Sequence, residues 1–240
     1  AHSRGVPVLY YISPKIWAWR QGRAKKLKKR VTRMATILPF EEAFYARYDI
    51  PVTYVGNPLL DAPGMDREPE RPELDVRSAT IGLLPGSREK EITSLLPVMM
   101  ETALRLSRMN PGWRFLVSQA PSIDPDLFNR VIAPFRGNLR FEILPGDVQA
   151  LFHRVDFLVA ASGTVTLEAA LAGLPMVVLY KLSTLSHWVA KLVIQVKDIC
   201  LVNLIAGRTV VPELIQDQAN PGAVAGMVND ILHDPERMDQ

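Results

Sequence analysis

Two short stretches of this chain carry groups suited to gripping a phosphorylated sugar. In Leu158-Val159-Ala160-Ala161-Ser162-Gly163-Thr164-Val165-Thr166-Leu167-Glu168 an apolar run ends in Ser-Gly-Thr and an amphipathic pattern starts at once. Gly163 lets a ligand approach the backbone, and the new helix aims unpaired N–H groups and its positive dipole end at that spot. Ser162 and Thr164 add hydroxyl donors. Glu168 falls about one helical turn further on, where a carboxylate can accept hydrogen bonds from sugar hydroxyls. A diphosphate attached to a ribose suits this set. So does a plain strand–turn–helix with Ser162 as N-cap.

The second stretch is Thr80-Ile81-Gly82-Leu83-Leu84 followed by Pro85-Gly86-Ser87-Arg88, with a helix pattern beginning near Glu89. A glycine, a hydroxyl and a helix start recur, now with a guanidinium that can hold a phosphate bidentately. The bland role for Arg88 is a surface ion pair with Glu91 or Glu89. A third constellation, Val202-Asn203-Leu204-Ile205-Ala206-Gly207-Arg208, reads as a loop in which Asn203 either caps a turn or meets a sugar hydroxyl. Metal chemistry is disfavoured, because the four histidines (His2, His153, His187, His233) and the one cysteine, Cys200, show no ligand spacing. Cys200 lies in an apolar run and reads as an inert packed thiol.

The elements that would position these groups alternate. Strands are predicted near 8–12, 35–38, 52–55, 80–84, 114–117, 139–143, 156–160 and 176–179. Helices are predicted over 22–33, 41–48, 91–109, 124–135, 164–172 and 185–197. Short apolar runs bounded by Gly or Pro fit parallel sheets covered on both faces. Pro63, Gly64, Pro69 and Pro72 break the alternation, so residues 1–61 and 80–240 read as two domains with 62–79 as linker. No run of about 18 uncharged apolar residues occurs to span a bilayer as a helix.

The net charge of +3 conceals an uneven distribution, with eleven Lys/Arg against three Asp/Glu in residues 1–60. Arg20 to Arg33 contains eight basic residues and no acidic one. It follows Trp17 and Trp19, and Ala24, Leu27, Val31 and Met34 recur through it at helical spacing. Such an element suits an anionic membrane surface with tryptophans at headgroup level, or a core-facing stripe with a wet basic face. A nucleic-acid module is the competing class, but it would leave both phosphate turns without a role. A dinucleotide oxidoreductase is disfavoured because no Gly-x-Gly-x-x-Gly follows a predicted strand.

Six stretches occur in order: Tyr11-Ile-Ser-Pro-Lys-Ile-Trp-Ala-Trp-Arg20, Ile37-Leu-Pro-Phe-Glu-Glu-Ala-Phe-Tyr45, Val55-Gly-Asn-Pro58, Leu84-Pro-Gly-Ser-Arg88, Ala161-Ser-Gly-Thr164 and Asn203-Leu-Ile-Ala-Gly-Arg208. This series resembles the lipid-A-disaccharide synthase family of GT-B-type glycosyltransferases, from about Val8 to about Leu232. The resemblance implies a GT-B-like α/β fold of two Rossmann-like parallel-sheet domains, the first incomplete here. It implies transfer of diacylglucosamine from UDP-2,3-diacylglucosamine to 2,3-diacylglucosamine 1-phosphate, giving a β-1,6 disaccharide and UDP. No cofactor or metal is implied. The setting implied is cytoplasmic, peripheral on the inner membrane, with a homodimer as one assembly.

By this resemblance Arg88 and Asn203 are catalytic, and UDP-sugar contacts fall to Gly86, Ser87, Arg88, Ser162, Gly163, Thr164, Glu168, Asn203 and Arg208. Trp17, Trp19, Arg20, Arg23, Lys25, Lys26, Lys28, Lys29 and Arg30 become the docking surface for membrane and anionic substrates. Asn57 stands where many relatives carry histidine. The family's candidate general base, an aspartate upstream of the Tyr-Ile-Ser-Pro strand, has no counterpart before Val8. The chain therefore reads as the latter portion of the enzyme, with unpaired sheet edges in residues 1–60, binding donor without turnover. UDP-sugar 2-epimerases and the peptidoglycan glucosaminyltransferase would share the donor half, but not Trp-Ala-Trp-Arg or Asn-Leu-Ile-Ala-Gly-Arg.

Overall fold

A computed structural model describes residues 5–18, 21–61, 74–146, 148–181 and 198–238. These form two compact units, 5–61 and 74–181 with 198–238. The smaller unit is a parallel sheet of β1 (Leu9–Tyr11), β2 (Arg33–Thr36) and β3 (Val52–Tyr54), in that order. On the outer strand β1, Leu9 and Tyr11 remain exposed.

The single helix anticipated over 22–33 does not form. Helix α1 covers only Ala24–Lys28, and the chain turns at Lys29–Arg30 toward β2. Ala24, Val31 and Met34 are all buried as their spacing suggests, but from a helix, a turn and a strand in succession. Consecutive like charges give such a helix no i,i+4 support, and parallel pairing to β1 and β3 claims its C-terminal end. Helix α2 (Pro39–Ala46) follows β2, with proline in its first turn, where the missing N–H costs nothing.

The larger unit holds six parallel strands: β4 (Thr80–Leu84), β5 (Arg114–Gln119), β6 (Glu142–Pro145), β7 (Phe157–Ala161), β8 (Met176–Tyr180) and β9 (Glu213–Ile215). Their order is β6-β5-β4-β7-β8-β9, so the winding reverses between β4 and β7. On one face Ile81, Leu83, Phe115, Val117, Phe157 and Val159 meet α3 (Glu89–Met109), α4 (Pro125–Ile132) and α8 (Pro221–Leu232). On the other, Leu84, Leu116, Leu158, Ala160 and Val178 pack with residues of α5 (Val148–Phe152), α6 (Val165–Leu171) and α7 (Leu201–Ala206). Ile92, Leu96, Met99, Met100 and Leu106 of α3 are fully buried. Each such side chain contributes roughly 1.5–3 kcal/mol, which outweighs anything intrinsic helix propensity supplies.

Residues 74–79, inside the stretch whose composition reads as linker, pack onto this unit. Asp75 caps a short 3-10 turn, and Trp113 Nε1 donates to the Val76 carbonyl at 2.6 Å. Residues 201–206, read as loop, are helical. Gly207 at φ +65° ends that helix in the left-handed conformation glycine tolerates. The helix anticipated over 185–197 lies outside the described residues.

Candidate functional site

In a parallel sheet all carboxyl ends lie along one edge, and ligands enter where the winding reverses. Here that point falls between β4 and β7, where Leu84, the last residue of β4, is the register partner of Ala160, one residue before the end of β7. The turns 85–88 and 162–164 therefore leave adjacent strands, about 4.8 Å apart. The topology brings together two motifs separated by some 75 residues of chain.

The first turn is organised by Glu91. Its Oε2 accepts from the backbone N–H groups of Ser87 (3.0 Å) and Arg88 (3.2 Å), and its Oε1 accepts from Arg88 Nη1 at 2.8 Å. Gly86 lies at φ +101°, and a Cβ there would run into the Glu91 carboxylate. Glycine is thus required twice over. The Arg88 side chain is 79% exposed, so its ion pair is worth little and the guanidinium can leave it for a phosphate. Tyr180, at the end of β8, joins this neighbourhood. Burial raises its phenol pKa, Arg88 opposes the shift and Glu91 adds to it.

In the second turn, Ser162 N donates to Leu179 O at 3.0 Å, and the Gly163 carbonyl accepts from both the N–H and the hydroxyl of Thr166. Thr164, rather than Ser162, is the N-cap of α6, and its hydroxyl makes no capping bond. A Cβ at Gly163 would meet nothing within 4 Å, so this side of the turn is unobstructed. Glu168 is half-buried, and its Oε2 accepts from Gln149 Nε2 at 3.0 Å.

Asn203 does not join the site as a ligand group. It is fully buried; its Oδ1 accepts from Val210 N (2.8 Å) and Val211 N (2.9 Å), and its Nδ2 donates to Val211 O and Glu213 Oε1, both at 2.8 Å. Two acceptor and two donor positions are all filled, leaving nothing for a sugar hydroxyl. Glu213 in turn accepts from the N–H groups of Ile199 and Cys200, fixing the start of α7. Arg208 is exposed just beyond Gly207, with no hydrogen bond to either turn among the described residues. Cys200 is buried, and burial raises its thiol pKa, in keeping with an inert thiol.

Within the smaller unit, Trp17 departs from the surface role expected of it. It is 6% exposed, packs edge-on against Phe40 at 4.8 Å, and donates its indole N–H to Glu41 at 3.0 Å. An indole enclosed and hydrogen-bonded this way has no face for lipid. Glu41, itself buried, also accepts from Ser13 Oγ at 2.6 Å and Leu38 N at 3.2 Å. Trp19 and Arg20 lie outside the described residues. Arg23, Lys25, Lys26, Lys29 and Arg30 are exposed, and Lys28 pairs with Asp49 at 2.9 Å. Asn57 uses its side-chain oxygen locally, accepting from Leu59 N at 3.1 Å.

Sequence reasoning missed Tyr180, Gln149, Glu213 and Glu41. An aromatic closing an apolar strand run was the one signal for Tyr180; the other three are defined by partners remote in sequence. Among the described residues no cluster of three His, Cys, Asp or Glu could hold a metal, and no helix is long and apolar enough to cross a membrane. What the edge offers is a guanidinium, two small-residue turns and an oriented carboxylate, a set that binds phosphate and hydroxyls.

Solved structures share the fold at low identity. UDP-GlcNAc 2-epimerase from Neisseria meningitidis, bound to UDP-GlcNAc, aligns over 100% of this chain and 65% of its own, with TM-score 0.64 and 13% identity. WaaG, a glycosyltransferase involved in lipopolysaccharide biosynthesis, aligns over 94% and 58%, with TM-score 0.52 and 14% identity. Sequence relatives are much nearer. The lipid-A-disaccharide synthase of Trichlorobacter lovleyi is 42% identical over 98% of this chain and 62% of its own length. That of Myxococcus xanthus is 44% identical over 92% and 58%. The chain thus spans about three fifths of the curated relatives it matches. Because the profile described as Lipid-A-disaccharide synthetase matches residues 2–237, nearly the entire sequence, the chain belongs to the lipid-A-disaccharide synthase family.

Proposed function

We propose that this chain carries the donor-binding part of a lipid-A-disaccharide synthase. It would hold UDP-2,3-diacylglucosamine while the diacylglucosamine passes to 2,3-diacylglucosamine 1-phosphate and UDP leaves. The observation that carries this reading is the pairing of the Pro85–Arg88 and Ser162–Thr164 turns at the reversal of strand order in the six-stranded sheet. The diphosphate lies across that crevice. As the glycosidic bond breaks, negative charge grows on the departing phosphate, and the Arg88 guanidinium exchanges Glu91 for it. Ser162 and Thr164 contribute hydroxyl donors, Gly163 gives access, and Glu168 takes the ribose hydroxyls. Asn203 serves by holding the 210–213 segment rather than by touching substrate.

In the same proposal residues 80–240 form the UDP-sugar domain, onto which residues 74–79 pack, and 1–61 belong to the acceptor side. The exposed basic residues Arg23, Lys25, Lys26, Lys29 and Arg30 face the anionic inner-membrane surface from the cytoplasmic side. The test is calorimetric titration of the purified chain with UDP, with NAD as control, repeated on Arg88→Ala. UDP binding without NAD binding, weakened about tenfold or more by the substitution, supports the reading. A folded chain that ignores UDP overturns it.

A further inference from the structure

We infer that Gln149 is a positioning residue for the nucleotide, acting through Glu168; this rests on the UDP reading of the β4–β7 edge. The Gln149 amide donates to Glu168 Oε2 at 3.0 Å in a half-buried setting. The two side chains come from different helices, α5 and α6, on either side of β7 in sequence. Both helices are locked to the same face of the sheet by residues close to the pair: Leu151 and Phe152 beside Gln149, Ala169 beside Glu168, all within one core cluster. The spacing between the two polar groups is therefore set by the core rather than by loop geometry.

The chemistry follows from what a glutamate lacks. Its terminal torsion is broad, so an isolated carboxylate has to be ordered by each ligand it binds. An amide donor on one oxygen fixes the carboxylate plane and leaves the other oxygen to accept from a ligand. A neutral donor also adds no opposing charge beside Glu168, as a lysine at the same place would. The ligand class this arrangement selects is a vicinal diol adjoining a phosphate, as in a ribonucleoside diphosphate. A ligand without the diol gains nothing from the oriented carboxylate.

The experiment titrates the full chain and its Gln149→Met and Gln149→Glu variants with UDP and with 2′,3′-dideoxy-UDP, after circular dichroism confirms that each is folded. Wild type is expected to prefer UDP. Gln149→Met, of similar volume but without the donor, is expected to lose about three- to tenfold of UDP affinity and almost none for the dideoxy ligand. In Gln149→Glu two like-charged carboxylates face each other, so UDP affinity is expected to fall at least as far as in Gln149→Met, again with little effect on the dideoxy ligand. If wild type discriminates between the ligands and Gln149→Met binds UDP equally well, the inference fails and the UDP reading stands. Equal weakening for both ligands makes Gln149 merely structural, which also overturns it. Should wild type bind neither ligand, the UDP reading falls and takes this inference with it.

Discussion

Asn203 and Glu213 share a hydrogen bond of 2.8 Å from Nδ2 to Oε1, and between them they tie two backbone segments together. The amide holds residues 210 and 211; the carboxylate holds residues 199 and 200. A residue that motif reading assigns to catalysis is thereby the fastener of the segment that follows α7. Replacing it by alanine strands the buried Val211 N–H, the half-buried Val210 N–H and the Val211 carbonyl, and takes one donor from Glu213. Asn203→Ala is expected to cost about 3 kcal/mol in urea unfolding. UDP affinity of the folded variant should stay within about threefold of wild type. A large affinity loss without loss of stability would return Asn203 to the ligand.

At Gly86 the two requirements act together: a positive φ and the Glu91 carboxylate standing where a Cβ would go. Gly86→Ala should cost roughly 2 kcal/mol of stability and push Glu91 off the Ser87 and Arg88 N–H groups. UDP affinity should fall with it, by calorimetry, because the turn that carries Arg88 changes shape. Retained affinity would show that the turn's conformation is immaterial to binding.

Tyr45 makes a pH prediction. Its hydroxyl donates to the Pro14 carbonyl at 2.7 Å, and burial raises its pKa from 10.0 to about 12. With the folded value above the unfolded one, the stabilisation is complete below pH 10 and is lost as pH rises from 10 toward 12. The loss is at most about 3 kcal/mol. Tyr45→Phe lacks this dependence, so the stability gap between wild type and variant should narrow across that window in denaturant titrations. A gap independent of pH would contradict the assigned environment.

The basic face makes a prediction about membranes. Near an anionic surface each Lys or Arg contributes about 1 kcal/mol, so replacing Lys25, Lys26, Lys29 and Arg30 by glutamine should lower partitioning onto phosphatidylglycerol vesicles by about a hundredfold or more. UDP binding should not change. Unaltered partitioning would remove this face from membrane docking.

Much of the larger sheet was readable because its strands are short apolar runs bounded by turn residues, as in 80–84 before Pro85-Gly86 and 157–161 before Ser162-Gly163. The turns 85–88 and 162–164 were readable because glycine and hydroxyl residues mark them locally. Their juxtaposition was not, since no local pattern states that β4 and β7 are neighbours. The β6 strand begins three residues later than its apolar signal: Leu139 feeds the core from the preceding turn, while Glu142–Pro145 makes the ladder. Strand β9 is three residues long, too short to announce itself. The basic stripe misled because burial at positions 24, 31 and 34 is compatible with helix, turn and strand in sequence. Trp17 misled because a tryptophan beside basic residues resembles an interfacial anchor until a buried Glu41 is seen to claim its N–H.

The most direct test of the proposed nucleotide site is amide hydrogen exchange of the intact chain with and without saturating UDP. If UDP binds across the paired turns, slowed exchange concentrates at Ser87–Arg88 and Ser162–Val165, with residues 9–54 unaffected. Protection elsewhere, with neither turn slowed while UDP is demonstrably bound, would contradict it.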